Sequence, residues 1–273
     1  MRSVVGFFTH LFDSEILSRY RKLEEDLVDH AQTKIVAEAG TRVPKELRKN
    51  TFFFDFPQLA SNVPRIIGSK VVPGNCHLAM LAFFRGQPEF DYYWHVEYDV
   101  VFTGAWGTLL DAWSDDTSDL VAPHLRTRSQ EPDWHWWSSL QFPHAVPEEN
   151  LIRAFLPVYR ISRRALESLE AAVRDGYSGH FEAVVPTALQ EASLRISDLG
   201  NGQFYTSPSS PDGQLRTGTM RYRPYHAGPL SGRNLLYHPV KSKSTRMPRY
   251  SFARLYKKVT SMRRSLLQRA KRR

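Results

Sequence analysis

The sequence is short of several features that would define its class at once. It has one cysteine, Cys76, among 273 residues, so no internal disulfide can form and a reducing, cytosolic compartment is the default expectation. No apolar run of about 18 residues occurs, so no helix is expected to span a bilayer. The first residues, MRSVVGFFTHLFDSE, match a first core strand better than a signal peptide. No Gly-x-Ser-x-Gly nucleophile motif is present, which leaves a hydrolase as the weakest hypothesis.

Acidic residues are missing from the C-terminal end. From Gln214 onward there is no Asp or Glu, whereas 17 of the 37 Lys and Arg residues lie there. The preceding part therefore holds 20 basic and 28 acidic residues, so the net charge of +9 comes from the C-terminal end. We predict one globular domain over residues 1–241 and a basic tail over residues 242–273.

Apolar segments of strand length alternate with segments of helical periodicity. SVVGFFTH, TKIVAEAG, NTFFFDFP and AFLPVYRIS indicate strands. Between and after them, DSEILSRYRKLEEDL, NCHLAMLAFFRGQ and RRALESLEAAVRDG show the spacing or the length of helices. This alternation predicts an α/β domain built on a mainly parallel sheet with helices on its faces.

The stretch YYWHVEYDVVFTG, residues 92–104, has the apolar pattern of a strand but carries two carboxylates, Glu97 and Asp99. Residues two apart in a strand project from the same face, so both carboxylates are predicted to face the crevice at the carboxyl end of the sheet. Two such carboxylates repel each other, and Mg²⁺ or Mn²⁺ relieves that repulsion. The alternative is that Arg or Lys side chains at the strand end neutralise them.

The longer block FDYYWHVEYDVVFTGAWGTLL resembles the central block of a poorly characterised bacterial and fungal family of GT-A-fold nucleotide-diphospho-sugar transferases. FLPVYRISRRALESL, GHFEAVVPTALQE and LLYHPVK resemble that family's later blocks and follow in the same order. The resemblance implies a GT-A-like, Rossmann-related sheet flanked by helices. It also implies an acid-x-acid metal motif, here with Glu where the usual form has Asp.

The resemblance gives roles to the acidic residues and to a histidine. Asp99 would bind the cation that bridges the two donor phosphates, and Glu97 would assist through the ribose, the sugar or metal-bound water. Glu182 would be the base that deprotonates the acceptor hydroxyl; alternatively it only complements a helix N-terminus. A histidine near the end of the domain often completes such a metal site, and His238 and His226 are the two candidates.

Further candidates concern the donor. Thr9 and His10 finish the first predicted strand, where GT-A folds receive the nucleotide. Arg233 and Lys241 are cations suited to binding phosphate. Asp55 either meets uracil or ribose or caps a turn.

Aromatic residues are the candidates for acceptor binding. Trp134, Trp136 and Trp137 form an acceptor platform or else pack in the core or a lid. His180, close to Glu182, is expected at a polar rim.

The tail segment SFARLYKKVTSMRRSLLQRAKRR predicts a basic amphipathic helix, because its apolar residues recur three and four positions apart. Such a helix is typical of peripheral contact with an anionic membrane surface. A helix docked on the domain is the alternative. Nucleic acid is not expected as a partner, because the domain is acidic and carries no nucleic-acid-binding motif.

These features together predict a metal-dependent glycosyltransferase that uses Mn²⁺ or Mg²⁺ and a nucleoside-diphosphate-sugar donor, and Glu182 favours inversion by resemblance. Its acceptor would be a glycan or lipid-linked molecule of cell-surface polysaccharide synthesis, at the inner, cytoplasmic face of the membrane. The alternative is a noncatalytic, membrane-associated relative that keeps the fold as a binding or scaffold module.

Overall fold

A computed structural model of the protein describes residues 1–200, 202–206 and 217–246. The strands are β1 Ser3–Phe8, β2 Gln32–Glu38, β3 Thr51–Phe54, β4 Tyr92–Glu97, β5 Val101–Phe102, β6 Leu120–Ala122, β7 Arg126–Thr127, β8 Ile152–Arg153, β9 Val158–Ser162, β10 Ile196–Asp198 and β11 Leu236–Tyr237. The helices are α1 Ser14–Asp26, α2 Phe56–Ser61, α3 Cys76–Gly86, α4 Trp106–Asp111, α5 Arg163–Asp175, α6 Phe181–Glu191 and α7 Lys243–Arg246.

Seven strands form the main sheet, in the order β10-β6-β9-β4-β1-β2-β3. Neighbouring strands run parallel except for β9, which pairs antiparallel with both β4 and β6. The central strands β1 and β4 are buried along nearly their whole length, as expected of strands covered on both faces. The predicted α/β domain with a mainly parallel sheet is therefore confirmed.

Helices cover both faces of this sheet. On one face, residues of α3, α5 and α6 pack against alternate strand residues such as Val4 and Tyr93. On the other face, residues of α1 and α4 pack against the intervening residues, such as Val5 and Trp94. Because the strand alternation divides the core in this way, the two faces carry separate apolar clusters.

Local signals in the sequence account for the helix boundaries. Asp13 caps α1, since its carboxylate accepts from the Ile16 N–H at 3.0 Å. The Ser162 hydroxyl caps α5 in the same way. Gly176 ends α5 with φ at 111°, a left-handed conformation that glycine adopts without steric cost.

Helix α6 continues through Pro186. A proline has no N–H to donate to the carbonyl four residues earlier, which here is that of Glu182. The Ala154 N–H donates to that carbonyl instead, at 2.8 Å. Because Pro186 leaves the Glu182 carbonyl without a helical donor, this carbonyl can bind the segment between β8 and β9 to the start of α6.

The chain divides into two compact units, Met1–Val240 and Lys241–Arg273. Of the second unit the structure describes residues 241–246, which include α7. The predicted basic amphipathic helix lies outside the described residues. Within the described residues, no helix has the length and apolar character needed to cross a membrane.

Candidate metal centre and catalytic carboxylate

The two carboxylates of the acid-x-acid motif lie at the end of β4. The strand ends at Glu97, and Asp99 lies in the turn that follows, in which the Val100 N–H donates to the Glu97 carbonyl at 2.9 Å. The prediction that both residues project from one strand face is therefore wrong, because strand alternation stops where this turn begins. The turn nevertheless brings both carboxylates to the carboxyl end of the central strand.

Backbone hydrogen bonds hold this turn on two sides. The Glu97 N–H donates to the carbonyl of Pro157, just before β9, at 2.9 Å. The carbonyl of Asp99 accepts from the Val240 N–H at 2.8 Å. Main-chain contacts from two other segments thus help to hold the motif in position.

His238 reaches the turn through the pairing of β5 with β11, in which Tyr237 lies opposite Val101. Its backbone N–H donates to the Thr219 carbonyl at 2.9 Å. Its ring Nδ1 lies 2.8 Å from the carbonyl of Arg221. Because a carbonyl only accepts, Nδ1 carries a proton, and Nε2 is the ring atom that faces the carboxylates.

The side chains of Glu97, Asp99 and His238 converge. Nε2 of His238 lies 3.5 Å from Oδ1 of Asp99 and 3.7 Å from Oε2 of Glu97. One ligand atom from each residue lies within 4.8 Å of the others, and in the described part of the chain these residues form the one group of His, Cys, Asp and Glu that meets in this way. Two carboxylates and an imidazole are suitable ligands for Mn²⁺, and the carboxylates also suit Mg²⁺.

The positive charge of a protonated His238 partly offsets the negative charges of the two carboxylates in this triad. Burial opposes the protonated form of His238, but the carboxylates of Asp99 and Glu97 outweigh burial and raise the pKa of His238 to about 10. Burial likewise opposes ionisation of Glu97, and its contacts with His238 and His95 outweigh burial and lower the pKa of Glu97. Among the described residues, the basic groups within 4 Å of the Glu97 carboxylate are thus histidines rather than Arg or Lys.

Glu182 lies in the first turn of α6 with its side chain 13% exposed. Burial raises its pKa to about 7, against the opposing effects of Arg153 and of the Leu156 N–H, which lies 3.4 Å from Oε1. The charges of Glu97 and His238 also act on this carboxyl. Glu182 is therefore electrostatically coupled to the triad and titrates near neutral pH, as a general base requires.

A buried ion pair lies beside Glu182. Arg153 Nε is 3.2 Å from a carboxylate oxygen of Glu131, with the two side chains 2% and 7% exposed. The Arg153 guanidinium also lies over the ring of Trp134, 4.7 Å from its centroid. Trp137 is buried and donates from its indole N–H to the Glu131 carbonyl at 2.8 Å, so this tryptophan packs in the domain.

His180 and Trp136 stack on each other next to Glu182, with ring centroids 4.5 Å apart. Nδ1 of His180 lies 3.9 Å from Oε2 of Glu182. His180 is 6% exposed, so the expectation of a rim residue is wrong. The reason is that Trp134 and Trp136 cover its ring. An acceptor role for Trp134 and Trp136 stays a prediction.

An open cleft of about 500 Å³ begins next to this stack. Its lining residues are Arg65, Ile66, Ile67, Ser139, Gln141, Ser178 and Gly179. Ser139 joins the cleft to the start of α6, since its hydroxyl accepts from the His180 N–H at 3.0 Å. Two isoleucines together with polar side chains thus line a cleft that adjoins the loop before α6.

The donor candidates at the start of the chain fall in two places. β1 ends at Phe8, so Thr9 and His10 follow the strand, and the His10 ring packs edge-on against Tyr98 in the Glu97–Val100 turn. Thr9 uses its hydroxyl in a local turn with Leu11. Asp55 caps α2 by accepting from the Gln58 N–H at 3.0 Å, beyond β3 at the far edge of the sheet, so the structure agrees with its reading as a cap.

The basic and histidine candidates near the end of the domain differ in position. Arg233 is exposed, before β11. Lys241 belongs to the second compact unit, so its role at phosphate stays a prediction. His226 is held by Thr219, whose carbonyl lies 2.8 Å from its Nε2, and it is not part of the triad. The geometry favours His238 over His226.

Two residues of the candidate site, His95 and Arg153, were not predicted from the sequence. His95 lies on the Glu97 face of β4, and strand alternation could have indicated it. Arg153 gave no such signal, because its partner Glu131 lies in a distant loop.

One family model and several solved structures match parts of the chain. Residues 16–131, less than half of the chain, match a family described as "Protein of unknown function (DUF3405)". No curated protein matches the sequence.

Solved structures similar to the chain include the galactosyltransferase LgtC with donor and acceptor sugar analogues, at 13% identity over 75% of this chain and 74% of that chain, with a TM-score of 0.41. The inositol-1-phosphate CTP transferase from T. maritima has 13% identity, covers 73% and 86%, and has a TM-score of 0.37. A Drosophila β-1,4-galactosyltransferase 7 mutant in complex with manganese, UDP-Gal and xylobiose has 12% identity, covers 74% and 66%, and has a TM-score of 0.38.

Proposed function

We propose that the chain is a metal-dependent glycosyltransferase that moves a sugar from a nucleoside-diphosphate sugar to an acceptor hydroxyl. The observation that carries this proposal is the convergence of Glu97, Asp99 and His238 at the end of β4, with Glu182 coupled to them through its charge. An ion pair that only stabilised the fold would not need a second, buried carboxyl nearby that titrates at neutral pH. The pair of functions, cation binding and proton removal, matches the two needs of sugar transfer.

The residues present fit Mn²⁺ or Mg²⁺. Asp99 and Glu97 offer carboxylate oxygens, and the Arg221 carbonyl fixes the tautomer that leaves Nε2 of His238 available once it loses its proton. When bound, such a cation supplies positive charge that stabilises the departing diphosphate. The Thr9–His10 segment next to this turn is where we place the nucleotide.

Glu182 acts on the acceptor in this proposal. Its carboxylate takes the proton from the acceptor hydroxyl as the hydroxyl oxygen forms a bond to the anomeric carbon of the sugar. The bond from that carbon to the diphosphate oxygen breaks, and the diphosphate leaves with the electron pair. Attack from the side opposite the leaving group inverts the anomeric configuration. Arg153 and the Leu156 N–H favour the ionised base, and the open cleft beside His180 is the path for the acceptor.

We place the enzyme at the cytoplasmic face of a membrane, acting on a glycan or lipid-linked acceptor of cell-surface polysaccharide synthesis. The support for this location is the charge and periodicity of the predicted tail helix.

The test is calorimetry of UDP, GDP and CDP with and without Mn²⁺, followed by donor hydrolysis with the matching sugar nucleotide. We expect Mn²⁺-dependent binding of one nucleotide, lost in Asp99→Asn and kept in Asp29→Asn, an exposed control. Glu182→Gln should keep binding and lose transfer by about 10²- to 10⁴-fold. Metal-independent binding, or binding that survives Asp99→Asn, contradicts the proposal. Binding without any turnover of donor favours the noncatalytic alternative.

A further inference from the structure

His95 lies in β4, two residues before Glu97 and on the same face of the strand. Its ring is packed between two aromatic rings, with centroids 4.0 Å from that of Phe8 and 4.8 Å from that of Tyr159. The planes of His95 and Tyr159 differ by 12°, and the His95 side chain is 3% exposed. The orientation of this imidazole is therefore fixed by packing.

Neither ring nitrogen of His95 has a hydrogen-bond partner among the described residues. Leaving a buried polar group without a partner costs about 1–3 kcal/mol. Nε2 lies 3.9 Å from Oε1 of Glu97, just beyond hydrogen-bond distance. A small movement of the partly exposed Glu97 carboxylate closes this gap.

The two oxygens of Glu97 face two different histidines. Oε1 faces His95 at 3.9 Å, whereas Oε2 faces His238 at 3.7 Å, on the side of Asp99. Oε1 therefore lies toward His95 in β4, and Oε2 lies toward the other members of the triad.

We propose that His95 is a positioning residue that donates from Nε2–H to Oε1 of Glu97 and leaves Oε2 as the single Glu97 ligand of a divalent cation. The inference rests on the proposed function, because it requires the triad to bind a cation. Both nitrogens of this ring are buried, and a neutral imidazole carries a proton on one of its two nitrogens. That proton belongs on Nε2, the nitrogen that faces a carboxylate.

One-oxygen ligation has a consequence for metal choice. A Glu97 carboxylate without its His95 contact is free to turn both oxygens toward the cation. Ca²⁺ accepts such two-oxygen ligation and a larger number of ligands, whereas Mg²⁺ demands near-octahedral geometry and keeps waters and phosphate oxygens. His95 therefore favours Mn²⁺ and Mg²⁺ over Ca²⁺ and keeps coordination positions for the donor diphosphate.

The test compares Mn²⁺ and Ca²⁺ affinities of the full chain and of three variants, using free-Mn²⁺ electron paramagnetic resonance and calorimetry. His95→Gln places an amide nitrogen near the position of Nε2, His95→Asn places one near Nδ1, and His95→Phe keeps the ring without nitrogens. We expect His95→Gln to bind Mn²⁺ within a few-fold of the original chain. We expect His95→Asn and His95→Phe to lose Mn²⁺ affinity by about 10- to 100-fold and to lose the preference for Mn²⁺ over Ca²⁺.

The outcomes separate this inference from the proposed function. If the original chain fails to bind Mn²⁺, the proposed function fails and the inference fails with it. If the original chain binds Mn²⁺ and the Phe and Asn variants bind it equally well with unchanged selectivity, the inference alone is overturned. A purely structural role predicts similar losses in the Gln and Asn variants, so equal losses in these two also overturn it. Thermal unfolding in EDTA confirms that each variant is folded.

Discussion

Nε2 of His238 lies 3.5 Å from Oδ1 of Asp99. The β5–β11 pairing and the Val240 N–H hold the two residues together through the backbone. In the metal-free protein the imidazolium of His238 compensates two carboxylates, whose combined effect raises its pKa to about 10. A divalent cation bound by the triad would take over this charge compensation. The same three side chains therefore matter for stability without metal and for binding with it.

We expect His238→Ala to lower the free energy of unfolding of the metal-free protein by about 2 kcal/mol, less than for a fully buried pair because the Glu97 side chain is 28% exposed. The reason is that the repulsion between Glu97 and Asp99 is then no longer offset by the imidazolium of His238. Urea denaturation in EDTA measures the change. His144→Ala is a matched control, because its pair with Glu191 has the same 3.5 Å distance but a histidine side chain that is 56% exposed. We expect the control to cost less than about 1 kcal/mol; equal costs contradict the prediction.

The rate of sugar transfer should depend on the ionisation of Glu182. Its pKa of about 7 means that the base is largely protonated below neutral pH. We expect kcat/KM to rise with pH and to level off at or above pH 7, provided that the other ionisations do not limit the rate. Glu191→Gln, in the same helix, should leave this profile unchanged. A profile that stays flat from acid to neutral pH would exclude Glu182 as the base.

Glu182 should also give stability a measurable pH dependence in EDTA. The folded protein keeps the Glu182 proton up to about pH 7, whereas the unfolded chain releases it near 4.5. Because the folded state holds more protons in that window, this group makes the free energy of unfolding fall as pH rises from 4.5 to 7. Glu182→Gln lacks the effect, so its stability relative to the original chain should rise over the same window, by at most roughly 3 kcal/mol. Urea denaturation at about pH 5 and about pH 8 tests the sign.

The elements of the sheet were predictable from the sequence because each depends on local patterns. β1 and β4 are apolar on both faces, and Asp13 and Gly176 mark helix ends. The grouping of Glu97 with Asp99 was also predicted, but from a strand alternation that stops at Glu97. In the structure, the turn after β4 brings the two carboxylates close together instead.

Contacts between distant segments were harder to predict. The approach of His238 to Asp99 depends on the pairing of β5 with β11. Each of these strands has two residues, which is too short for a local sequence pattern to predict the pairing. The sequence kept His226 and His238 as alternatives for this reason. The partnership of Arg153 with Glu131 joins a short strand to a loop, and neither residue belongs to a periodic pattern. Which distant residues meet in such pairs is determined by how the whole domain packs.

The tail prediction concerns residues outside those that the structure describes. Replacing Arg263 and Arg264 by Glu should weaken binding to vesicles that contain phosphatidylglycerol by more than tenfold, since each basic residue near an anionic surface contributes about 1 kcal/mol. Cosedimentation with phosphatidylcholine vesicles, with and without phosphatidylglycerol, measures this. Arg128→Glu, at an exposed site in the domain, is the control. Equal binding to both kinds of vesicle would contradict a charge-driven contact.

The buried pair of Arg153 and Glu131 should contribute strongly to stability when one partner is removed. Glu131→Gln leaves the Arg153 guanidinium buried at 2% exposure without the charge of Glu131, and we expect a loss of about 3 kcal/mol in the free energy of unfolding. The exposed pair of Arg128 and Glu148, at 4.0 Å with side chains 45% and 69% exposed, provides the control. Glu148→Gln should change stability by less than about 1 kcal/mol. Comparable losses in the two variants would mean that the charge of Glu131 does not stabilise the buried guanidinium, and that its contact with the Trp134 ring suffices to hold it.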